Sequence, residues 1–217
     1  MTAPTQLSLY NGVLLLLSQP KLSSASEATE RRRVLDHWYE TKDARKACLE
    51  MGMWNFATRT VKIDYNSSIT PSFGLKRAFT KPTDWVHTVE ASADEFFTAP
   101  LTDMEFKDEQ AYFFAEIDEL YLRYVSDDAS YGKDFSLWPE SFTNMTEGYL
   151  AWKGAPKINP KKEDDAKEYF LDERRAARSK DALQEGIKFQ PETGWQRSRR
   201  SRTGGSRDLG SRSRLTG

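Results

Sequence analysis

Charge and apolar surface are divided unevenly along this chain, and the division limits how much of it can fold by itself. From Trp195 to Gly217 the sequence holds seven arginines (Arg197, Arg199, Arg200, Arg202, Arg207, Arg212, Arg214), one acid, Asp208, and no lysine, set among Ser and Gly. That stretch carries a formal +6, so residues 1–194 carry −7 beneath a total of −1. It has too little apolar surface to offset the entropy of ordering and is predicted to stay disordered until something binds it. Arginine in place of lysine points to a partner offering carboxylates, phosphates or aromatic faces, which a planar guanidinium grips by paired hydrogen bonds or stacking. The plain alternative is a solubilising tail.

The rest is long enough for one domain, over residues 1–185, with 186–217 as a C-terminal extension. The chain has six Trp, nine Tyr and twelve Phe, of which only Phe189 and Trp195 lie past residue 185. That exceeds what a core of this size normally uses, so some are expected to face partners. A single cysteine, Cys48, excludes an internal disulfide and fits a reducing compartment. Its place on an apolar helix face predicts a small core residue rather than a nucleophile. The longest apolar run, Val13–Leu17, is too short to span a bilayer, and no positive charge precedes it as in a signal peptide. The expectation is a soluble, intracellular protein that engages no membrane.

Periodicity sets the element order. Residues 5–18 read as a helix with Leu7, Tyr10, Leu14 and Leu17 on one face; Leu15 and Leu16 widen that face to burial nearly all round, and Gln19-Pro20 ends it. Ser24-Ala25-Ser26-Glu27 resembles a capping box for a helix over 26–51, striped by Val34, Leu35, Trp38, Thr41, Ala44, Ala47, Cys48 and Met51 and stopped by Gly52. The period then falls to two. Ala57, Val61, Ile63 and Tyr65 predict a strand, with Phe73, Leu75 and Phe79 as its hairpin partner. Further strands are expected at Val86–Ala91, Ala111–Ala115 and Leu120–Val125, giving a β region over 56–125 in which 94–110 has no assignment. Helix returns over 139–153 (Phe142, Met145, Tyr149, Trp152) and breaks at Gly154-Ala155-Pro156. A charged helix follows over 161–183, with a thin stripe of Ala166, Tyr169, Phe170, Ala177 and Leu183 and a Glu163–Lys167 pair. The predicted class is α+β: a helical bundle from both ends of the chain with a small antiparallel β region inserted and a basic C-terminal tail.

Few residues point to chemistry. His37 and His87 have no partner at metal-ligand spacing, and a lone Cys48 builds no zinc or iron–sulfur site. No phosphate-binding glycine loop is present, since Gly204-Gly205 sits in the low-complexity tail, and there is no Gly-x-Ser-x-Gly elbow. Acidic clusters at Asp94-Glu95, Asp103 to Glu109, Glu116 to Glu119 and Asp127-Asp128 could bind a divalent cation or do acid–base work. Their spacing matches no calcium loop, and solvated turns are the favoured reading. The expectation is a non-enzymatic protein without metal or cofactor. Trp38, Trp54 and Trp138 are assigned to the core, and Arg31–Arg33 to an exposed helix face with Arg31 paired to Glu27.

A set of phrases recurs in a particular order. Leu9-Tyr10-Asn11-Gly12 and Leu14–Leu17 lead to Arg31-Arg32-Arg33-Val34-Leu35-Asp36, then to Ala47-Cys48-Leu49-Glu50, Gly52 and Trp54-Asn55-Phe56-Ala57. Pro82-Thr83-Asp84-Trp85-Val86, Leu122-Arg123-Tyr124-Val125-Ser126, Trp138-Pro139-Glu140-Ser141-Phe142 and Ala177-Arg178-Ser179-Lys180-Asp181-Ala182 follow, with Trp195 last. Together, over about residues 7–200, they resemble the tail tubular protein A family of short-tailed and related tailed phages, the head-to-tail adaptors. The stretch beyond Arg200 has no counterpart in that resemblance.

The resemblance implies a structural virion protein, made in the host cytoplasm and placed at the head–tail junction. It implies a dodecameric ring beneath the portal protein that meets the tail nozzle or tube protein and touches genomic DNA in passing. It makes Phe189, Trp195, Arg197, Arg199, Arg200 and Arg202 candidate portal-binding residues, and Tyr169, Arg174, Arg175 and Arg178 candidate inter-subunit residues. An acidic body repeated around such a ring would let DNA slide without sticking, if the acids face the channel. The competing reading is a nucleic-acid-binding protein that uses the Arg-rich tail.

Overall fold

The computed structural model describes residues 5–71 and 74–184. Five helices and six strands follow in the order α1 (Gln6–Leu16), α2 (Glu30–Asp36), α3 (Ala44–Leu49), β1 (Thr58–Asp64), β2 (Arg77–Thr80), β3 (Trp85–Ser92), β4 (Phe106–Asp108), β5 (Tyr112–Ala115), β6 (Glu119–Ser126), α4 (Glu140–Ile158) and α5 (Glu163–Ala182). The fold is α+β.

Helix α1 starts where Thr5 and Ser8 form a reciprocal cap, each side chain accepting from the other's backbone N–H. Leu9, Tyr10, Val13, Leu14 and Leu17 are buried. Leu15 is 67% exposed, so the helix is one-sided rather than enclosed all round. The Tyr10 hydroxyl donates to Asp36 Oδ1 at 2.9 Å, and Arg32 Nε reaches Asp36 Oδ2 at 2.8 Å, which ties α1 to α2.

The single helix expected over 26–51 is divided. Glu27 accepts from Ser23 N and Oγ instead of closing a box with Ser24, and Thr29 caps α2 in its place. Arg31 donates to the Pro20 carbonyl rather than bridging to Glu27. After Asp36 one π-type turn spans His37–Thr41, and Asp43 takes a left-handed conformation at φ 46°. Its carboxylate accepts from Lys46 N to start α3. Thr41 and Asp43 are weak helix formers, and an aspartate that can cap competes successfully with helix continuation.

The strands form two three-stranded antiparallel sheets, ordered β1-β6-β3 and β2-β5-β4. The predicted hairpin between β1 and the segment containing Phe79 does not form. Strand β1 pairs with β6 from Thr58↔Val125 to Asp64↔Glu119, while β2 pairs with β5 from Arg77↔Ala115 to Thr80↔Tyr112. Alternation fixes which face a strand buries but not which strand lies beside it. Strand β4 falls inside the stretch left unassigned. Phe79, Phe113, Leu120, Leu122 and Tyr124 make a core between the sheets, with Val61, Ile63 and Trp85 at its rim.

The larger core lies among the helices, where α4 packs against α5, α1, α2 and α3. Trp54, Trp138 and Phe142 meet edge to face at 5.1 and 4.8 Å. The indole N–H groups are satisfied by the Cys48 and Gly132 carbonyls. Trp54 and Trp138 are therefore core residues, whereas Trp38 is half-buried at the rim. Helix α4 does not break at Gly154-Ala155-Pro156 but continues to Ile158. Pro156 sits in the last turn, where its ring removes only one hydrogen bond, and Asn159 ends the helix by donating to the Ala155 and Leu17 carbonyls. A short turn over Pro160–Lys162 leads into α5, whose first turn carries Glu163, Asp164 and Asp165 toward the positive end of the helix dipole. The close pair in that turn is Lys162–Asp165 at 2.8 Å, not Glu163–Lys167.

Candidate interaction surfaces

Helices α4 and α5 bring the candidate inter-subunit residues onto one hairpin. Only Ala166, Phe170 and Ala177 of α5 are buried. The helices approach closely at Gly148, where an added Cβ would lie 3.0 Å from the Phe170 Cα and from Tyr169 Cδ1. An α-helix turns by about 100° per residue, so Tyr169 and Glu173 lie on one flank of this stripe and Lys167, Arg174 and Arg178 on the other. Arg175 points outward and pairs with Asp172 at 3.2 Å. Of the four residues singled out, Arg174 and Arg178 thus share an edge, Tyr169 faces away from them, and Arg175 belongs to neither group.

The arginine edge is completed by Trp152, Lys153 and Lys167, none of which the sequence assigned to an interaction surface. Trp152 stacks on Phe170 at 5.7 Å with 15° between the rings. Lys153 Nζ sits 3.8 Å from the Trp152 centroid, Lys167 Nζ 5.9 Å from it, and the Arg174 guanidinium 5.7 Å from that of Phe170. The signal was present in the spacing, because 167, 174 and 178 fall on one helical line once Phe170 is placed on α4.

The opposite flank is acidic. Glu147 on α4 projects toward α1, and a Cβ on Gly12 would collide with its carboxylate. Burial raises its carboxyl from 4.5 to about 7. Both Glu147 and Glu173 act on the Tyr169 hydroxyl, whose value is raised first by burial and then by these charges.

At its far end α5 is latched to the start of the β region. The Asp181 carboxylate accepts from Asn55 N at 3.0 Å and from its side-chain amide, and the Asp181 carbonyl accepts from that amide at 3.0 Å. Met53 and Leu183, each two residues from this latch in sequence, are 54% and 81% exposed. The portal-binding candidates Phe189, Trp195, Arg197, Arg199, Arg200 and Arg202, like Arg207, Arg212 and Arg214, lie outside the described residues.

The acidic turns are occupied with holding loops. Asp94 accepts from Ser92 Oγ, Thr98 N and Oγ1, and Ala99 N, and these bonds hold it far below the usual carboxylate range. Glu105 closes on Thr102, Glu119 on Lys62 and Tyr121, and Asp127 on Arg45, whose Nη2 donates to Oδ2 at 3.1 Å. The densest polar cluster is centred on Asp84, which takes hydrogen bonds from Arg59, Tyr124 and Ser126. Burial opposes its ionisation, but the three donors outweigh it and the value falls. A carboxylate so fully engaged works as a clip across β1, β3 and β6.

Among the described residues no three His, Cys, Asp or Glu side chains are grouped to hold a metal ion. Cys48 is buried and its thiol is pushed up to about 12 by burial, so it holds its proton. His37 stands edge to face with Trp38, and half-buried His87 is held below its usual value by desolvation. Among the described residues no helix is long and apolar enough to cross a membrane. No family model matches this chain, and no curated protein matches it.

Proposed function

We propose that this chain is a structural head-to-tail adaptor of a tailed-phage virion. In this reading, copies form a dodecameric ring that joins the portal to the tail nozzle or tube and lines the DNA channel, with the C-terminal arm docking on the portal. The helices around α4 serve as the bundle, the two sheets as its insertion, and the arm orders only on its partner, which couples folding to assembly. The ordered motifs from Tyr10 to Trp195 supply the family likeness. The observation that carries the reading is α5: a helix with a thin apolar stripe, a basic aromatic edge on one flank and acids on the other is shaped for protein neighbours. It leads directly into the segment that holds the arginine-rich arm.

Mass photometry of the protein with its cognate portal, for the full chain and for a truncation ending at Gly194, tests this. Addition to the portal in ring stoichiometry by the full chain alone supports both the ring and the arm. The Arg-rich composition of 195–217 favours one other reading, a nucleic-acid-binding protein. It requires tight DNA retention by the isolated chain, with the steep salt dependence of phosphate contacts, and loss of that retention on truncation.

A further inference from the structure

The two flanks of α5 are complementary in charge and cannot serve one another within one copy. On the first, the Glu147 carboxylate is half-buried against Gly12 of α1 and makes no hydrogen bond or ion pair among the described residues. Burying a carboxylate without a partner is unfavourable, and a neutral side chain there would avoid the cost. Glu173 stands on the same flank. Leu15, one turn along α1 from Gly12, adds 67% exposed apolar surface. On the second flank, Lys153, Lys167 and Arg174 crowd around Trp152 and Phe170, and exposed Arg178 continues the row one turn further. The buried stripe of Ala166, Phe170 and Ala177 separates the two, so the cations of a copy point away from its own Glu147.

We infer that Glu147 of one copy receives Arg174 and Arg178 of a second copy of this chain, in a head-to-tail contact along the α4–α5 hairpin. The inference rests on the ring reading and names the chemistry of its subunit contact. Two different patches meet, so a growing assembly keeps one of each free at its ends, and the contact repeats until a ring closes. The carboxylate is retained at the expense of the isolated copy because it is satisfied only in the assembly. A guanidinium suits this acceptor, since it is weakly hydrated and pairs with both carboxylate oxygens.

Sedimentation velocity on the full chain, from about 5 to about 500 µM, tests the contact. The wild-type chain is expected to associate reversibly at the upper end. Glu147→Gln, and Arg174→Gln with Arg178→Gln, should each weaken association by about tenfold or more while leaving the circular dichroism spectrum intact. An equimolar mixture of the two variants retains one competent pair of patches and should give a one-to-one dimer that grows no further. The inference is overturned if the wild-type chain stays monomeric throughout, if either variant associates like wild type, or if mixing restores nothing. Portal addition separates this from the parent reading. A chain that self-associates by this contact yet never adds to the portal removes the adaptor function and keeps the contact. Ring addition by Glu147→Gln equal to wild type removes the contact and keeps the adaptor.

Discussion

Replacing Glu147 with glutamine should make the isolated protein more stable, and only where the carboxyl would otherwise be charged. A carboxyl moved from 4.5 to about 7 sets a ceiling of about 3 kcal/mol, at about 1.4 kcal/mol for each factor of ten. Because Glu147 keeps partial contact with solvent, screening reduces the expectation to about 1–2 kcal/mol. The folded-state value lies above the unfolded one, so the folded state holds the proton more tightly. The penalty is then full above about pH 7, fades as the pH falls toward 4.5, and vanishes below that, where both states are protonated. Glutamine removes the penalty with little change of shape. Urea unfolding followed by tryptophan fluorescence should show the midpoint raised by about 0.5–1 M near pH 8.5, and by about a quarter of that near pH 5. An equal rise at both pH values would mean that shape and not charge is responsible. A lower midpoint near pH 8.5 would mean the carboxylate is ionised and engaged in the monomer, and the reasoning from burial would fail.

Asp84→Ala should destabilise by about 3 kcal/mol at neutral pH, since it strands Arg59, Tyr124 and Ser126 around an emptied acceptor; denaturant titration reads this directly. With the Asp84 value lowered, that stabilisation is present at neutral pH and is lost as acid carries the solution below 3.8 and through the folded-state value, so the gap between wild type and variant should close there. Gly148→Ala should cost about 1–3 kcal/mol despite the better helix propensity of alanine, because the new Cβ meets the Phe170 backbone at 3.0 Å; a raised melting temperature would show that α5 moves aside freely. Cys48 should resist a thiol-directed disulfide reagent in the native protein and react at once in denaturant; rapid native labelling would contradict its burial.

What the sequence disclosed about this fold followed from local rules. The stripes of α1, α4 and α5 and the alternation of β1 were visible because a helix or strand that buries one face must repeat its apolar residues at its own period. Two boundaries were misjudged where a local signal met a stronger competitor. The Asp43 cap interrupted a long apolar stripe, and Pro156 was tolerated because it fell in a final turn that Asn159 ties to the Leu17 carbonyl at the end of α1. Strand partners were not legible at all, since β1 could not announce a neighbour in β6. The proposed interaction surface was half legible. Arg174 and Arg178 stood out as charges on a thin helix, but the lysines and Trp152 beside them became an edge only once α4 and α5 were docked. Glu147 carried no signal, because its environment is made by Gly12 from the other end of the chain.

The order in which these partners are synthesised has its own consequence. Helix α1 packs chiefly against α4, the Leu17 carbonyl waits for Asn159, and Asn55 waits for Asp181. Strand β1 is likewise completed only by β6. The first half of the chain therefore leaves the ribosome with apolar faces and an unpaired strand edge that nothing yet covers, and long-range closures of this kind are slow. Closure of the fold is therefore completed only when α5 arrives. In a cell making many copies at once, the hazard to yield is the collision of half-made chains, and slower synthesis or chaperone supply should govern how much soluble protein accumulates.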